Sequence, residues 1–477
     1  MKADTTFRSR LTVLAASVCL LLPLGGCDID KVVEADTPDI IPPDALTGPE
    51  ALPAVRGAVI GDFALAYGGS GADGSGGTEG TVMTSGMLAD EWINSETFPT
   101  RIEIDRRGPI SITNATAETW FRTISRARAT ADLGQARFRQ YSPDTTLDAG
   151  LSEIISLQGF LYLFFAENYC SGVPFSYAQP DGSFIYGQPL TTGEMLDTAE
   201  ARFTSALAAA TALQGTGQTR ANRINIARVG LGRALLDQGQ FAAAAAAVAL
   251  VPDTFRYSIN HSENTARQNN GVFQANVTFE RYSVANAEGV NGLNYRTAAD
   301  PRIPFIRTPA NDVGFDQATP QFDQLRYIDR RAAIVLASGA EARLIEAEAF
   351  LQAGDTVGGG QFLARLNALR ATPPTYFPLV AGGTLAPLTP AASPAAREDQ
   401  LFRERAFWLW LTGHRLWDLR RLARPTAVGG YGRAINSVFP TGAYFKGAFT
   451  YGPDVNFPVP FDEQNNPNFA QCLDRNP

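Results

Sequence analysis

Two stretches of this sequence combine aromatic rings with amide, carboxylate and guanidinium groups. A sugar has apolar C–H faces and hydroxyl edges, so a surface that binds it needs aromatic planes beside such polar groups. We therefore predict that these stretches form a ligand surface. It would suit an oligosaccharide or a peptide, which uses the same polar groups, and buried aromatic rings would give the same pattern. The residues are Asp90, Glu91, Trp92 and Asn94 in the first stretch, and Tyr282, Asn291, Asn294, Tyr295 and Arg296 in the second.

Side chains suited to catalysis are scarce. The sequence has only two histidines, His261 and His414, which are too few for most metal sites and leave little basis for a histidine-dependent catalytic triad. No pair of carboxylates stands out as the acid and base of a glycosidase. We expect no catalytic residue, no metal site and no cofactor. An envelope glycoside hydrolase is therefore the function that the sequence favours least.

The charge balance argues against a nucleic-acid partner. The 477 residues include 40 basic and 48 acidic side chains, a net charge of −8, whereas a surface that follows phosphates must be positive. With 45% hydrophobic and 18% charged residues, the chain can bury a large core. Composition therefore indicates a large folded body.

The beginning of the chain has the pattern of a bacterial lipoprotein signal. A basic segment precedes an apolar run over residues 11–24, which is too short to span a bilayer, and a Leu-Gly-Gly-Cys lipobox follows at 24–27. We predict a signal peptide over 1–26 and acylation of Cys27, which would anchor the protein in a membrane. The Asp- and Pro-rich residues 27–49 are predicted to form an extended tether.

Two cysteines, Cys170 and Cys472, lie beyond the signal and the lipidation site. In an oxidising envelope they could pair. The sequence does not place them within bonding distance, so a disulfide and two free thiols both stay open.

Apolar residues recur at helical spacing over much of the chain. The pattern predicts long helices over residues 49–67, 115–140 and 147–169. Small and apolar residues further on have the spacing of a tetratricopeptide unit, in which two helices pack closely. They are Gly232, Gly239, Phe241, Ala244 and Val248, with a weaker copy at Ala347, Phe350 and Gly354.

The two repeat copies are separated by residues 252–338, which have little helical period and are rich in Asn, Gly, Pro and aromatic residues. Loops carried on a rigid scaffold concentrate binding residues. We therefore predict one mainly α-helical domain over residues 50–477, built from tetratricopeptide-like helix pairs with a large, irregular, loop-rich insertion.

Residues 398–424 have the apolar stripe of one long helix, with Gly413 in its middle where another chain segment approaches closely. Arg415, Asp418 and Arg421 fall on the other side, an arrangement typical of a solvated face.

An earlier helix, residues 341–352, places Glu348 on its apolar face, where an unpaired carboxylate would be very costly. We predict a buried ion pair between Glu348 and Arg405 or Arg415.

The string Thr412-Gly413-His414-Arg415-Leu416-Trp417-Asp418-Leu419-Arg420-Arg421, preceded by Glu404-Arg405, resembles the signature of the SusD/RagB family of nutrient-binding outer-membrane lipoproteins. The Pro-x-Pro segment at 458–460 and Asn466-Pro467-Asn468 are similar to the family's closing pattern. Thr412 departs from the usual acidic residue, and residues 471–474 depart from the usual ending.

This resemblance implies a SusD-like superhelix of four helix pairs, and ligand contacts after the first helix and within the insertion. It also implies a surface-exposed outer-membrane lipoprotein that delivers an oligosaccharide or peptide to a SusC-type TonB-dependent transporter. The alternative is an envelope lipoprotein that uses its helical repeats as a protein-binding scaffold.

Overall fold

The computed structural model describes residues 47–71, 79–178, 183–215, 217–307, 312–469 and 471–477. The predicted signal peptide, Cys27 and the tether up to residue 46 lie outside the described residues. Residues Thr47–Pro477 form one compact unit.

Helices dominate the described residues, as predicted, and none of these helices is both long and apolar enough to cross a membrane. The described part contains fourteen α-helices: α1 (Leu52–Gly68), α2 (Thr81–Leu88), α3 (Pro99–Asp105), α4 (Ala115–Tyr141), α5 (Gly150–Asn168), α6 (Thr192–Ala212), α7 (Gln218–Asp237), α8 (Phe241–Val248), α9 (Gly271–Phe273), α10 (Gly339–Gln352), α11 (Gly360–Ala371), α12 (Pro394–Trp408), α13 (Arg415–Ala423) and α14 (Ile435–Val438).

Strands are short and occur in antiparallel pairs, β1 with β7, β6 with β10, β2 with β5, β3 with β4 and β8 with β9. Their bounds are β1 (Trp92–Asn94), β2 (Val173–Pro174), β3 (Tyr177–Ala178), β4 (Phe184–Ile185), β5 (Pro189–Leu190), β6 (Arg256–Ile259), β7 (Tyr282–Val284), β8 (Phe305–Ile306), β9 (Asp323–Gln324) and β10 (Ile334–Ser338).

Several long helices begin at a side chain that caps the first turn. Asn114 accepts a hydrogen bond from the third amide of α4 at 3.1 Å, and Ser338 does the same for α10 at 3.2 Å. Thr191 and Glu194 form a reciprocal capping box at the start of α6. Each such cap contributes about 1 kcal/mol, so the helix starts are encoded locally.

Consecutive helices pack on each other from α4 to α8, and α10 packs on α11. Gly232 on α7 lies so close to Val248 on α8 that a Cβ atom would clash with it. This close packing is what the small residues of a tetratricopeptide unit allow. The prediction of tetratricopeptide-like helix pairs is confirmed.

Residues 252–338 contain β6 to β10 and the short α9, joined by irregular chain. Strand β6 pairs with β10 and so brings the two ends of this segment together just before α10. Strand β7 pairs with β1, near the beginning of the chain. Strand pairing thus closes the segment at its own ends and joins its middle to β1.

The prediction of one helix over residues 398–424 is wrong. Helix α12 ends at Trp408 and α13 starts at Arg415, and the turn between them contains Leu411 and Gly413 with φ of 56° and 77°. The residues of this turn are buried like the helices on either side. The apolar pattern in the sequence therefore shows no interruption where the helix ends. A Cβ atom at Gly413 would lie 3.2 Å from Thr81 Cγ2, and so α2 is the segment that approaches closely.

Cys170 and Cys472 form a disulfide, which joins the end of α5 to the last residues of the chain. Next to it, the Leu473 amide donates to the Ser171 carbonyl at 2.8 Å. Of the two alternatives open from the sequence, the structure has the paired one. The C-terminal residues are thus held against the helical scaffold.

Candidate functional site

A cleft of about 590 Å³ opens between three segments that are distant in the sequence. These are the residues that follow β1, the loop before β9, and a hairpin near the C-terminus. The lining residues are Glu96, Thr97, Ile102, Asp316, Ala318, Thr319, Pro320, Phe445, Lys446 and Gly447. The cleft thus combines an aromatic ring, aliphatic groups, hydroxyls and charged groups.

The base of the cleft rests on the pairing of β1 with β7. Asn94 lies opposite Tyr282 in this ladder, and the next residue, Ser95, continues it by donating its amide to the Arg281 carbonyl at 3.0 Å. The Asn94 amide donates to Asp105 at 2.8 Å, which ties β1 to the end of α3. The first cleft residue, Glu96, therefore follows directly from a rigid, buried strand.

The ammonium group of Lys446 joins all three segments. Its Nζ donates to the Asn94 carbonyl and side-chain oxygens at 3.0 and 3.1 Å and to the Glu96 carbonyl at 2.7 Å. The same Nζ lies 2.7 Å from Asp316 Oδ2. A compact ammonium with several donors suits such converging oxygens, so Lys446 fixes the width of the cleft.

Two carboxylates stand behind the exposed lining. Burial raises the pKa of Asp316, but hydrogen bonds from Lys446 and Thr319 outweigh it and bring the pKa below its ordinary value. Burial raises the pKa of Glu96, and the Arg101 guanidinium, which pairs with it, offsets part of this effect. No group of three or more His, Cys, Asp or Glu side chains in the described part of the chain is placed to hold a metal ion.

Phe445 presents its ring at the cleft with 44% of its surface exposed. It lies in a hairpin that is closed by the Tyr444 amide, which donates to the Phe449 carbonyl at 3.0 Å. The Tyr444 hydroxyl donates to Asp105 at 2.6 Å and so anchors the hairpin to α3. Burial raises the pKa of Asp105 to about 8. The exposed ring is thus held on a fixed support.

Two more exposed rings adjoin the cleft residues in the sequence. Phe98 follows Thr97 and is 44% exposed, and Phe315 precedes Asp316 and is 48% exposed. The Arg281 guanidinium carbon lies 5.6 Å and 5.3 Å from the centres of these rings, close enough for cation–π attraction. The region around the cleft is therefore rich in aromatic surface.

The backbone matches structures of many SusD/RagB-family proteins across most of the chain. A SusD-like carbohydrate binding protein from Bacteroides fragilis aligns with 87% of this chain and 98% of its own, at 16% identity and a TM-score of 0.62. A laminarin binding SusD-like protein aligns with 90% and 99%, at 15% identity and a TM-score of 0.61. The fold is SusD-like.

A SusD superfamily protein from Bacteroides vulgatus has the same SusD-like fold, with 89% of this chain and 98% of its own aligned, 14% identity and a TM-score of 0.59. No family model and no curated protein matches the sequence. The fold expected from the resemblance is confirmed by these structures.

The first group of predicted ligand residues is buried. Asp90, Glu91, Trp92 and Asn94 are each at most 1% exposed. Asp90 accepts two hydrogen bonds from Arg415 at 2.7 and 2.8 Å. The prediction of an exposed binding surface is wrong for these side chains, because mixed aromatic and charged residues here form a buried network. Asn94 still contributes to the cleft by holding Lys446.

The two tyrosines of the second group are also buried. Tyr282 and Tyr295 have no exposed surface. Tyr282 packs edge-on against Trp92 with 6.5 Å between ring centres, and Tyr295 packs against Phe407 at 5.6 Å. The prediction that these rings are exposed is wrong, because both are buried against other aromatic rings.

The polar members of the second group are partly exposed but hold the protein chain. Asn291 donates to the backbone carbonyls of Asn436 and Phe439 at 2.6 and 3.1 Å. Asn294 accepts from Arg403 at 3.1 Å. The Arg296 guanidinium lies 3.6 Å from the centre of the Phe322 ring. The structure pairs the two predicted stretches through β1 and β7. None of the five residues of the second group lines the cleft.

Glu348 is completely buried and lies among guanidinium groups. Its main partner is Arg421, whose Nη2 is 3.1 Å from Oε2, and Arg405 is more distant at 3.8 Å. Arg415, the other predicted partner, pairs with Asp90 instead. The prediction omits Arg421, which belongs to the face predicted to be solvated.

The prediction of a solvated face with Arg415, Asp418 and Arg421 is wrong, since none of the three is more than 5% exposed. Asp418 accepts from both Arg405 and Arg421, at 2.9 and 2.8 Å. Burial raises the pKa of Asp418, but these two guanidinium groups outweigh it and leave the pKa well below its ordinary range. Charge pairing has allowed this side of α13 to enter the core.

Sequence reasoning missed most of the cleft. Glu96 and Thr97 lie just two and three residues beyond Asn94, and the loop with Asp316 lies inside the predicted insertion. The C-terminal hairpin carried one usable signal, because Lys446 is the only lysine after Lys31. The sequence thus predicts part of the region around the cleft but not the residues that line it.

Proposed function

We propose that this protein binds an oligosaccharide in the cleft and delivers it for uptake across the outer membrane, without catalysing a reaction on it. The observation that carries the proposal is the exposed Phe445 ring beside polar groups in a preformed cleft of a SusD-like fold. A cleft of about 590 Å³ lies within the range of about 300–1,000 Å³ that is usual for small-molecule sites.

The composition of the cleft matches the two chemical faces of a sugar. Phe445, Ile102 and Pro320 offer apolar contact to C–H faces. The exposed Thr97 offers a hydroxyl that can both donate to and accept from the hydroxyl edges. Two proteins with the same fold are described as carbohydrate binding and laminarin binding. This supports an oligosaccharide over the peptide that the sequence left open.

The replacement Phe445→Ala is expected to weaken oligosaccharide binding about tenfold or more, because loss of one aromatic contact costs on the order of 1.4 kcal/mol. Binding is measured by titration calorimetry with the tightest ligand of a panel that includes laminarin oligosaccharides. The melting temperature should change little, since the ring is 44% exposed.

Phe461→Ala is the matched control. Phe461 is exposed to 51% and does not line the cleft, so its removal should leave affinity unchanged. If Phe445→Ala binds as tightly as the control variant, the cleft is not the binding site.

We further propose that Cys27 carries a lipid that anchors the protein in the outer membrane, supported by the lipobox at residues 24–27. Cys27→Ser should move the protein from the membrane to the soluble fraction, because the acyl chains supply the anchoring energy. Cys19→Ser, within the predicted signal peptide, is the control and should change nothing. Unchanged membrane association of Cys27→Ser without detergent would refute the anchor.

We propose a SusC-type TonB-dependent transporter as the partner that receives the ligand. The proposal rests on the signature-like residues 412–421 and on the SusD-like fold. A transporter gene beside the gene of this protein would support the pairing.

A further inference from the structure

The exposed lining of the cleft is made of uncharged residues. Thr97, Ala318, Pro320, Phe445 and Gly447 are the exposed members among the lining residues that the structure describes. The three ionisable lining residues are less exposed, with side-chain exposures of 1% for Glu96, 7% for Asp316 and 21% for Lys446. A ligand in the cleft therefore meets neutral atoms first.

The charges behind this lining are used within the protein. Lys446 pairs with Asp316 at 2.7 Å and also donates to three oxygens of Asn94 and Glu96. Asp316 also accepts from the Thr319 amide at 2.8 Å and from its hydroxyl at 2.6 Å. Both ions of this pair have their hydrogen bonds directed into the protein.

The same holds for the second carboxylate. Glu96 pairs with Arg101, which also pairs with Glu79, and Arg281 Nε lies 3.6 Å from Glu96 Oε2. The guanidinium groups of Arg101 and Arg281 thus both lie against carboxylates of the protein. Glu96, Asp316 and Lys446, the charged residues of the lining, therefore each have an opposite charge in contact with them.

We propose that the cleft is specific for uncharged oligosaccharides, and that the ion pair between Asp316 and Lys446 determines this specificity. The inference rests on the proposed function and adds the class of glycan. A uronate or sulfate would approach Asp316 and Glu96 and would find the cations already paired. An amino sugar would find the carboxylates already paired. In either case a desolvated charge lacks a partner, which is unfavourable, whereas hydroxyl groups can pair as neutral donors and acceptors.

Breaking the ion pair from either side should change the preference in opposite directions. Asp316→Asn keeps a side-chain oxygen for the amides of Ala318 and Thr319 and leaves the Lys446 ammonium without its counter-ion. Lys446→Met keeps a flexible, unbranched side chain that is one atom shorter and uncharged, and it leaves the Asp316 carboxylate without its counter-ion. The first variant should gain affinity for anionic glycans, and the second for cationic ones.

The experiment titrates the full-length protein and both variants with tetrasaccharides of three charge classes. The probes are laminaritetraose and cellotetraose, an oligoglucuronate, and a chitosan tetramer, and melting temperatures confirm that each variant is folded. We expect the wild-type protein to bind a neutral probe at least about tenfold more tightly than the charged ones. Asp316→Asn should reduce this ratio about fivefold or more for the oligoglucuronate, and Lys446→Met should do so for the chitosan tetramer.

The outcomes separate the inference from the proposed function. The proposed specificity for uncharged glycans would be overturned if the wild-type protein bound a charged probe most tightly. It would also be overturned if the ratio stayed unchanged in both folded variants. Either result would leave glycan binding itself intact. Binding of none of the probes by the wild-type protein would overturn both. If one variant does not fold, the ratio measured for the other one decides.

Discussion

Replacing Glu348 with alanine is expected to lower the free energy of unfolding by about 3 to 5 kcal/mol, the cost of removing one partner of a buried ion pair. Glu348 has no exposed surface. Its Oε1 accepts from the Tyr431 hydroxyl at 2.7 Å, and its Oε2 lies 3.1 Å from Arg421 Nη2. Without the carboxylate, the guanidinium of Arg421 keeps Asp418 at 2.8 Å but loses its main counter-ion.

The effect is measured by urea denaturation followed through tryptophan fluorescence. Glu398→Ala provides the control, because Glu398 pairs with Arg433 at 2.7 Å with its side chain 25% exposed. A pair of that kind contributes about 0 to 1 kcal/mol. Equal losses in the two variants would show that Glu348 makes no special contribution. Ligand affinity of folded Glu348→Ala should match that of the wild-type protein, since Glu348 does not line the cleft.

Local patterns were sufficient for the long helices. The predicted spans 115–140 and 147–169 compare with Ala115–Tyr141 and Gly150–Asn168 in the structure. Apolar periodicity is a property of neighbouring residues, so it predicts these helices without knowledge of the fold. The packing of Gly232 against Val248 was predictable for the same reason, because a repeat places its small residues at fixed spacing.

The break in the 398–424 segment depended on a distant residue. The Leu411 amide in the turn donates to Glu91 Oε1 at 2.9 Å, across 320 positions of sequence. This hydrogen bond allows the turn to be buried, because an unpaired amide in the interior would be unfavourable. No residue within the segment indicates that Glu91 lies beside Leu411 in the fold, so the apolar periodicity alone predicts a continuous helix.

The site illustrates the same difference between local and distant information. Its three walls come from residues 96–102, 316–320 and 445–447, and strand pairing and Lys446 bring them together. Aromatic and charged residues at Trp92 and Tyr295 suggested a ligand surface, but such residues also build a core whose charges are paired. Sequence could place the site near Asn94 and in the insertion, and could not tell which side chains would be exposed.

The other large effect concerns pH. Burial raises the pKa of Glu91 to about 8 from an ordinary 4.5, and Asp90 adds to this while the Leu411 amide and Arg415 oppose it. In the folded protein Glu91 therefore keeps a proton that the unfolded chain releases above pH 4.5. The folded state binds more protons between pH 4.5 and 8, so the contribution of Glu91 to stability falls as pH rises through this window. The slope is about 1.4 kcal/mol per pH unit and the total is on the order of 5 kcal/mol.

Glu91→Gln is expected to remove this loss. Glutamine keeps the oxygen that accepts from Leu411 and cannot ionise, so the variant should match the wild-type protein near pH 5 and exceed it by several kcal/mol at pH 9. Urea denaturation of both proteins at each pH gives the difference in unfolding free energy. Other groups with raised pKa values, such as Asp105, titrate in both proteins and cancel in this difference. A difference that stays constant between pH 5 and 9 would mean that Glu91 is ionised in the folded protein throughout, with its charge stabilised by Arg415 and the Leu411 amide.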